Sequence, residues 1–174
     1  MKKILLLLVC GSVLTVNAQV DPPRLSDFEI KRGGHNQAYS EEMIEVLKLK
    51  NLNLRYSILI SGTDTLGSAF RFDVRAVDGQ VRAVPLRTVS YLDYDELPGF
   101  LLFLKNAIAM RDLKPYEKET VMHYASRGGV VAAAYLNKGK WKFAVSSDSR
   151  DLDAYSFLGK TKLEELIRTL ETFH

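Results

Sequence analysis

The chain has 174 residues, 47% of them hydrophobic and 26% charged, with 24 Lys and Arg against 21 Asp and Glu. One cysteine, Cys10, and three dispersed histidines, His35, His123 and His174, exclude a disulfide scaffold and leave no HxH or HExxH pair to seat zinc. No GxGxxG or GxxxxGK[ST] run is present, so phosphate-loop chemistry is excluded too, and no cofactor or metal is expected.

The chain opens MKKILLLLVCGSVLTVNAQV. Two lysines, an apolar stretch from Ile4 to Val16 and the Val16-Asn17-Ala18 end predict a signal peptide over 1–18, and so an exported bacterial product in periplasm, outer surface or medium. The apolar run is about thirteen residues, short of the roughly twenty a spanning helix needs, so no membrane span is expected in the mature chain. Cys10 offers a lipid-anchored alternative, for which Val9 is a poor preceding residue. Cleavage after Ala18 leaves 174 − 18 = 156 residues, about one domain. Lys2 and Lys3 leave with the signal, so 24 − 2 = 22 basic side chains face 21 acidic ones. With that near-neutral balance, nucleic acid is not an expected partner.

Residues 19–51 read as a lead-in segment, mobile in part, punctuated by Asp21-Pro22-Pro23 and Arg32-Gly33-Gly34-His35-Asn36-Gln37. From Leu52 apolar residues alternate with polar ones: Leu52, Leu54, Tyr56, Ile58 and Ile60, then Phe70, Phe72, Val74 and Ala76. Period two predicts strands. Asp78-Gly79 predicts a two-residue hairpin turn into a strand over Val81, Ala83 and Pro85. Leu97, Phe100, Leu101, Leu104 and Ile108 form a helical stripe that should stop before Pro115. Strands are predicted again at Val121–Ala125, Val130–Leu136 and Lys140–Val145, followed by a closing helix with the stripe Leu163, Leu166, Ile167, Leu170 and Phe173.

The halves align. Gly79 to Ala83 match Gly139 to Phe143 at an offset of 60 (139 − 79), and Ser90-Tyr91-Leu92 match Ser156-Phe157-Leu158 at 66 (156 − 90), an offset that also superposes the two helical stripes. The expected fold is therefore α+β: an antiparallel sheet built from two tandem strand-strand-strand-helix repeats, 52–114 and 116–174, within a single domain 52–174, with the helices packed on one side. At the level of arrangement alone this is similar to TATA-binding-protein and Whirly saddles, which join such halves in one continuous sheet, and to the tandem repeats of beta-lactamase inhibitor proteins; no site residues carry over.

The stretch SYLDYDELPGFLLFL places Asp93, Asp95 and Glu96 before the first stripe. The alignment sets Asp95 on Thr161, which begins a T-x-x-E capping box with Glu164, so Asp95 is expected to cap its helix and Asp93 to sit in the turn. Counting outward from the predicted hairpin sets Arg75 opposite Arg82, with Arg71 two positions along, a small basic patch suited to an anionic glycan, a lipid head group or an acidic protein surface. Arg127-Gly128-Gly129 is read as a turn or bulge and His123 as a structural strand residue. Phe100 to Leu104 is apolar all round, so either the fold encloses it or Leu102 and Phe103 form a contact patch, which leaves room for a homodimer. The function expected is a small exported binding or accessory protein without catalysis, acting on a protein, glycan or lipid head-group partner. The alternative is a small envelope hydrolase using Asp93, Asp95 or His123.

Overall fold

The structure, a computed structural model, describes residues 25–34, 38–75, 87–111, 121–137, 140–147 and 155–174. The signal segment, the Asp78-Gly79 turn, the strand expected at 81–85, Arg82 and the Lys138-Gly139 turn lie outside these residues. The fold is α+β: two antiparallel four-stranded sheets and three helices. The first sheet runs β1 (Ser40–Lys48), β2 (Leu52–Ser61), β3 (Asp64–Arg75) and β4 (Arg87–Asp93), and the second β5 (Val121–Ala125), β6 (Val131–Asn137), β7 (Lys140–Ser146) and β8 (Tyr155–Leu158). Helix α1 (Asp27–Gly33) precedes the first sheet, α2 (Leu97–Arg111) follows it, and α3 (Lys160–Glu171) closes the chain. Among the described residues no helix is long and apolar enough to cross a membrane.

Among the described residues each sheet has four strands, and a helix follows each; the first gains β1 and β4 beyond the strands expected at 52–60 and 70–76. Among the described residues the sheets are separate rather than one continuous saddle, and a single parallel bridge between Tyr91 and Gly129 joins them. The lead-in segment contributes α1 and the edge strand β1.

One core unites the halves. Phe70, Phe72, Val74 and Leu92 of the first sheet meet Ala132, Ala134, Phe143, Val145 and Leu158 of the second, with α2 and α3 supplying Phe100, Leu104, Leu166 and Leu170. The aromatic contacts run straight through it: Phe72 meets Phe100 edge-on at 5.8 Å, and Phe103 reaches Phe143 at 6.2 Å. Both helices thus lie on the inner faces, as expected, whereas α1 packs on the opposite face of the first sheet through Phe28, against Leu59, Ala69 and Tyr91.

The register corrects one expectation. Phe70 pairs with Leu92 and Phe143 with Leu158, so β3 and β7 correspond at 143 − 70 = 73 residues, while Gly79 to Ala83, which carried the offset of 60, lie outside the described residues. Arg75 pairs with Arg87, not Arg82. A sheet with one buried face must keep its apolar set inward, and it is Leu92, fully buried opposite Phe70, that meets this demand. The offset of 66 between last strands and helices holds: Leu97 and Leu163, Phe100 and Leu166, Leu101 and Ile167, Leu104 and Leu170 are all buried.

Candidate functional site

The acidic stretch is a joint between the halves. Asp93 stands at the start of a 3-10 turn, Tyr94–Glu96, that runs into α2, and its own N–H donates to the Glu96 carboxylate at 3.3 Å. Its buried carboxylate accepts from the amides of Asp27 at 2.8 Å and Phe28 at 3.1 Å, the first turn of α1. Ser26 completes that helix start: its Oγ accepts from the Glu29 amide at 3.0 Å, and its N–H donates to the Glu29 carboxylate at 2.9 Å. The orphan amides that open α1 are thus satisfied, half of them by a residue 66 positions away.

Asp95 is not a cap. It is exposed and pairs with Arg127, whose guanidinium also lies 3.3 Å from Asp27, 3.3 Å from Asp93 and 3.6 Å from Glu96. The Arg127 amide donates to Glu96 at 3.0 Å. Desolvation opposes the guanidinium's charge, but the carboxylates of Glu96, Asp95, Asp27 and Asp93 outweigh it and push its pKa up. Burial likewise pushes Glu96 above the usual carboxylate range, against hydrogen bonds from the Arg127 and Asp93 amides. Tyr124, whose hydroxyl donates to the Glu96 carbonyl at 3.3 Å, is pushed up to about 12, by burial first and then by the Glu96 carboxylate. Asp93 and Glu96 are thus both engaged by backbone amides and by Arg127.

The Arg127-Gly128-Gly129 turn is confirmed as a turn and gains a purpose. The Tyr91 amide donates to the Gly128 carbonyl at 3.0 Å, and Ser126 Oγ donates to the Tyr91 carbonyl at 3.1 Å. A Cβ on Gly128 would stand 2.3 Å from that carbonyl oxygen, so only glycine lets the two backbones approach. Sequence reasoning did not single out Arg127 as the partner of the acids. Its only sequence signal was the want of a counter-charge among so many carboxylates.

The closing helix is also capped elsewhere than expected. Its N-cap is Gly159, which makes no side-chain cap, and Thr161 lies inside the first turn. Gly159 is 66 residues beyond Asp93, so the alignment matched the right cap positions while the choice of Asp95 and Thr161 was two residues late.

The remaining expected site residues scatter. Arg71 lies on the outer face of the first sheet, opposite Arg55 and Tyr91, and contacts Met43 Sδ at 3.7 Å. Arg75 instead joins Lys48, Lys50 and Arg55 around a recess of about 120 Å³ that also holds Asn51, Asn53 and the buried Asp73. Leu102 and Phe103 part company: Leu102 is 61% exposed, and Phe103 is 8% exposed beneath Tyr124 and Phe143. The enclosure expected of this helix therefore holds for Phe103, and no two-residue patch forms. His123 points outward from β5, opposite Ala133. Among the described residues no group of three or more His, Cys, Asp or Glu is arranged to hold a metal ion.

The face that periodicity did not flag is the outer side of the second sheet. His123, Ala133, Ala144 and Phe157 form one cross-strand row on it. Ala133 and Ala144 are buried, while Val121 and Phe157 stand exposed. The 66-residue alignment matches Phe157 with Tyr91, which is 3% exposed because Phe28 of α1 stacks on it at 5.1 Å. Phe157 is 57% exposed. Comparison with protein-family models, curated proteins and solved structures finds no match for this chain.

Proposed function

We propose that this protein is a small exported binding or accessory protein of the bacterial envelope, without catalysis of its own, and that its recognition surface is the outer face of the second sheet. The observation that supports this is the contrast between two equivalent positions. In the first repeat an aromatic from α1 covers Tyr91; in the second, Phe157 on the edge strand β8 stands open. An exposed aromatic side chain is a common anchor of a protein interface. The partner expected is a protein segment that presents an apolar side chain to Phe157 as Phe28 does to Tyr91. The hydrolase alternative gains no support from its named acids, since Asp93 and Asp95 are both engaged by Arg127.

A photo-crosslinking amino acid placed at Phe157 in the producing cells, with Leu102 as the comparison position, tests the reading. A discrete protein adduct at 157, lost when Val121 is changed to Asp on the same face, is the expected result. Equal or absent adducts at the two positions would remove this face as the recognition surface. Intact mass of the fractionated product, expected to begin at Gln19, tests export in the same cells.

A further inference from the structure

A second feature, independent of that face, lies on the inner side of the second sheet. The C-terminal end of α2, the N-terminal end of α3 and strands β6 to β8 leave a cavity of about 230 Å³. Its apolar lining is Ala107, Ala134, Phe143, Leu158 and Leu163. Two cations, Arg111 and Lys160, line it as well, and no carboxylate does among the described residues; Lys142, next to Phe143 on β7, directs its side chain to the outer face with Ala144. Lys160 has one partner, Glu164 at 3.7 Å on the next turn, but both are well exposed and such a pair holds a lysine only weakly.

Two further donors stand at this cavity. α3 begins at Gly159 and Lys160 with no side-chain cap, so its first amides and its positive end are open. Trp141 also lines the cavity, and its indole Nε1–H is buried with no acceptor among the described residues. An apolar floor with a few convergent polar groups is the usual form of a small-molecule site.

We propose that this cavity binds a small organic anion, a carboxylate carried on a short acyl chain or a single aromatic ring. The floor takes the apolar body, and Arg111, Lys160 and the start of α3 take the carboxylate. The volume corresponds to about eight water molecules at ~30 Å³ each, enough for such a body and too small for a long lipid tail.

Trp141 is the only tryptophan in the chain, so its emission reports this cavity directly. The full mature protein is titrated with octanoate, and with octanol and acetate as probes lacking the charge or the apolar body. The expected result is a saturable change in Trp141 emission with octanoate at least tenfold tighter than with either control, weakened at least fivefold by Lys160→Gln with Arg111→Gln. A second variant guards against simple misfolding. A side chain on Gly159 meets nothing within 4 Å, so Gly159→Asp should keep the far-ultraviolet circular dichroism and unfolding midpoint while placing a carboxylate at the cavity mouth. Loss of octanoate binding in Gly159→Asp is expected. Equal affinity for octanoate and octanol, unchanged affinity in folded Gly159→Asp, or no emission change up to millimolar octanoate would each overturn the proposal.

Discussion

Asp93 and Asp95 stand two residues apart and meet the same guanidinium, yet burial separates their energetics. Asp93 is buried and accepts two amide hydrogen bonds from α1 besides its contact with Arg127. Asp93→Asn turns a donor toward one of those amides and removes the charge facing Arg127, and should cost about 2–4 kcal/mol. Asp95→Asn removes an exposed pairing and should cost less than about 1 kcal/mol. Urea unfolding of the two variants decides this, and equal midpoints would mean that Asp93 does not hold α1. Tyr124 gives a second prediction at this scale, in pH. Its folded pKa of about 12 lies above the ordinary phenol value of 10.0, so the folded state keeps its proton where the unfolded chain has released it. The stability this phenol contributes is complete below pH 10 and lost as pH rises toward 12. Subtracting the unfolding free energy of Tyr124→Phe from that of the parent isolates this loss from Tyr91 and Tyr155, whose pKa values burial also raises. A difference that stays flat from pH 9 to 12 would contradict it.

Among the elements, α2 is the test of how an all-round apolar helix is accommodated. Phe100, Phe103, Leu104 and Ala107 are buried on more than one side, between the first sheet and the aromatic cluster of the second. Phe103→Ala should cost about 3–5 kcal/mol and Leu102→Ala less than about 0.5, as read from thermal midpoints. Comparable losses would mean that Leu102 is covered by a partner in solution. This helix was legible in the sequence, as were β2, β3, β5 to β7 and α3, because each has a run of apolar residues at one period. The edge strand β1 was not, since Glu41, Glu42 and Glu45 break its alternation, and those charges are what an unpaired edge uses against aggregation. Nor was α1, whose seven residues bury only Phe28 and which relies on Asp93 for its first amides. The site was less legible than the fold. Phe157 was visible as the match of Tyr91, but that one is covered and the other open depends on where α1 docks, which neither local pattern encodes. Arg75 pairs with Arg87 because Leu92 fixes the register, a contact that a turn-counting rule cannot see.

At the scale of the whole molecule, two sheets that share an inner core still need a hinge that sets their relative position, and the Ser126-to-Gly129 turn supplies it. Tyr91 and Gly129 form the only bridge between the sheets among the described residues, and Gly128 makes it possible by letting the turn lie against the Tyr91 backbone. Val130 is held in place behind it, its N–H donating to Ser126 Oγ at 2.9 Å. Gly128→Ala forces a Cβ to within 2.3 Å of the Tyr91 carbonyl oxygen, a distance that neither rigid backbone can accept. One of them must retreat, and the Tyr91 amide then loses the Gly128 carbonyl. The expected cost is about 2–3 kcal/mol. Gly99→Ala is the proper control, because it lies inside α2 with its nearest neighbour at 3.9 Å, and there added helix propensity should stabilise by about 0.5–1 kcal/mol. Hydrogen exchange distinguishes a loosened joint from general damage: in Gly128→Ala the Tyr91 and Val130 amides should lose protection well before those of β2 and β3. Uniform loss of protection across both sheets would show that the turn is an ordinary part of one cooperative core and that the halves are positioned by the shared apolar packing alone.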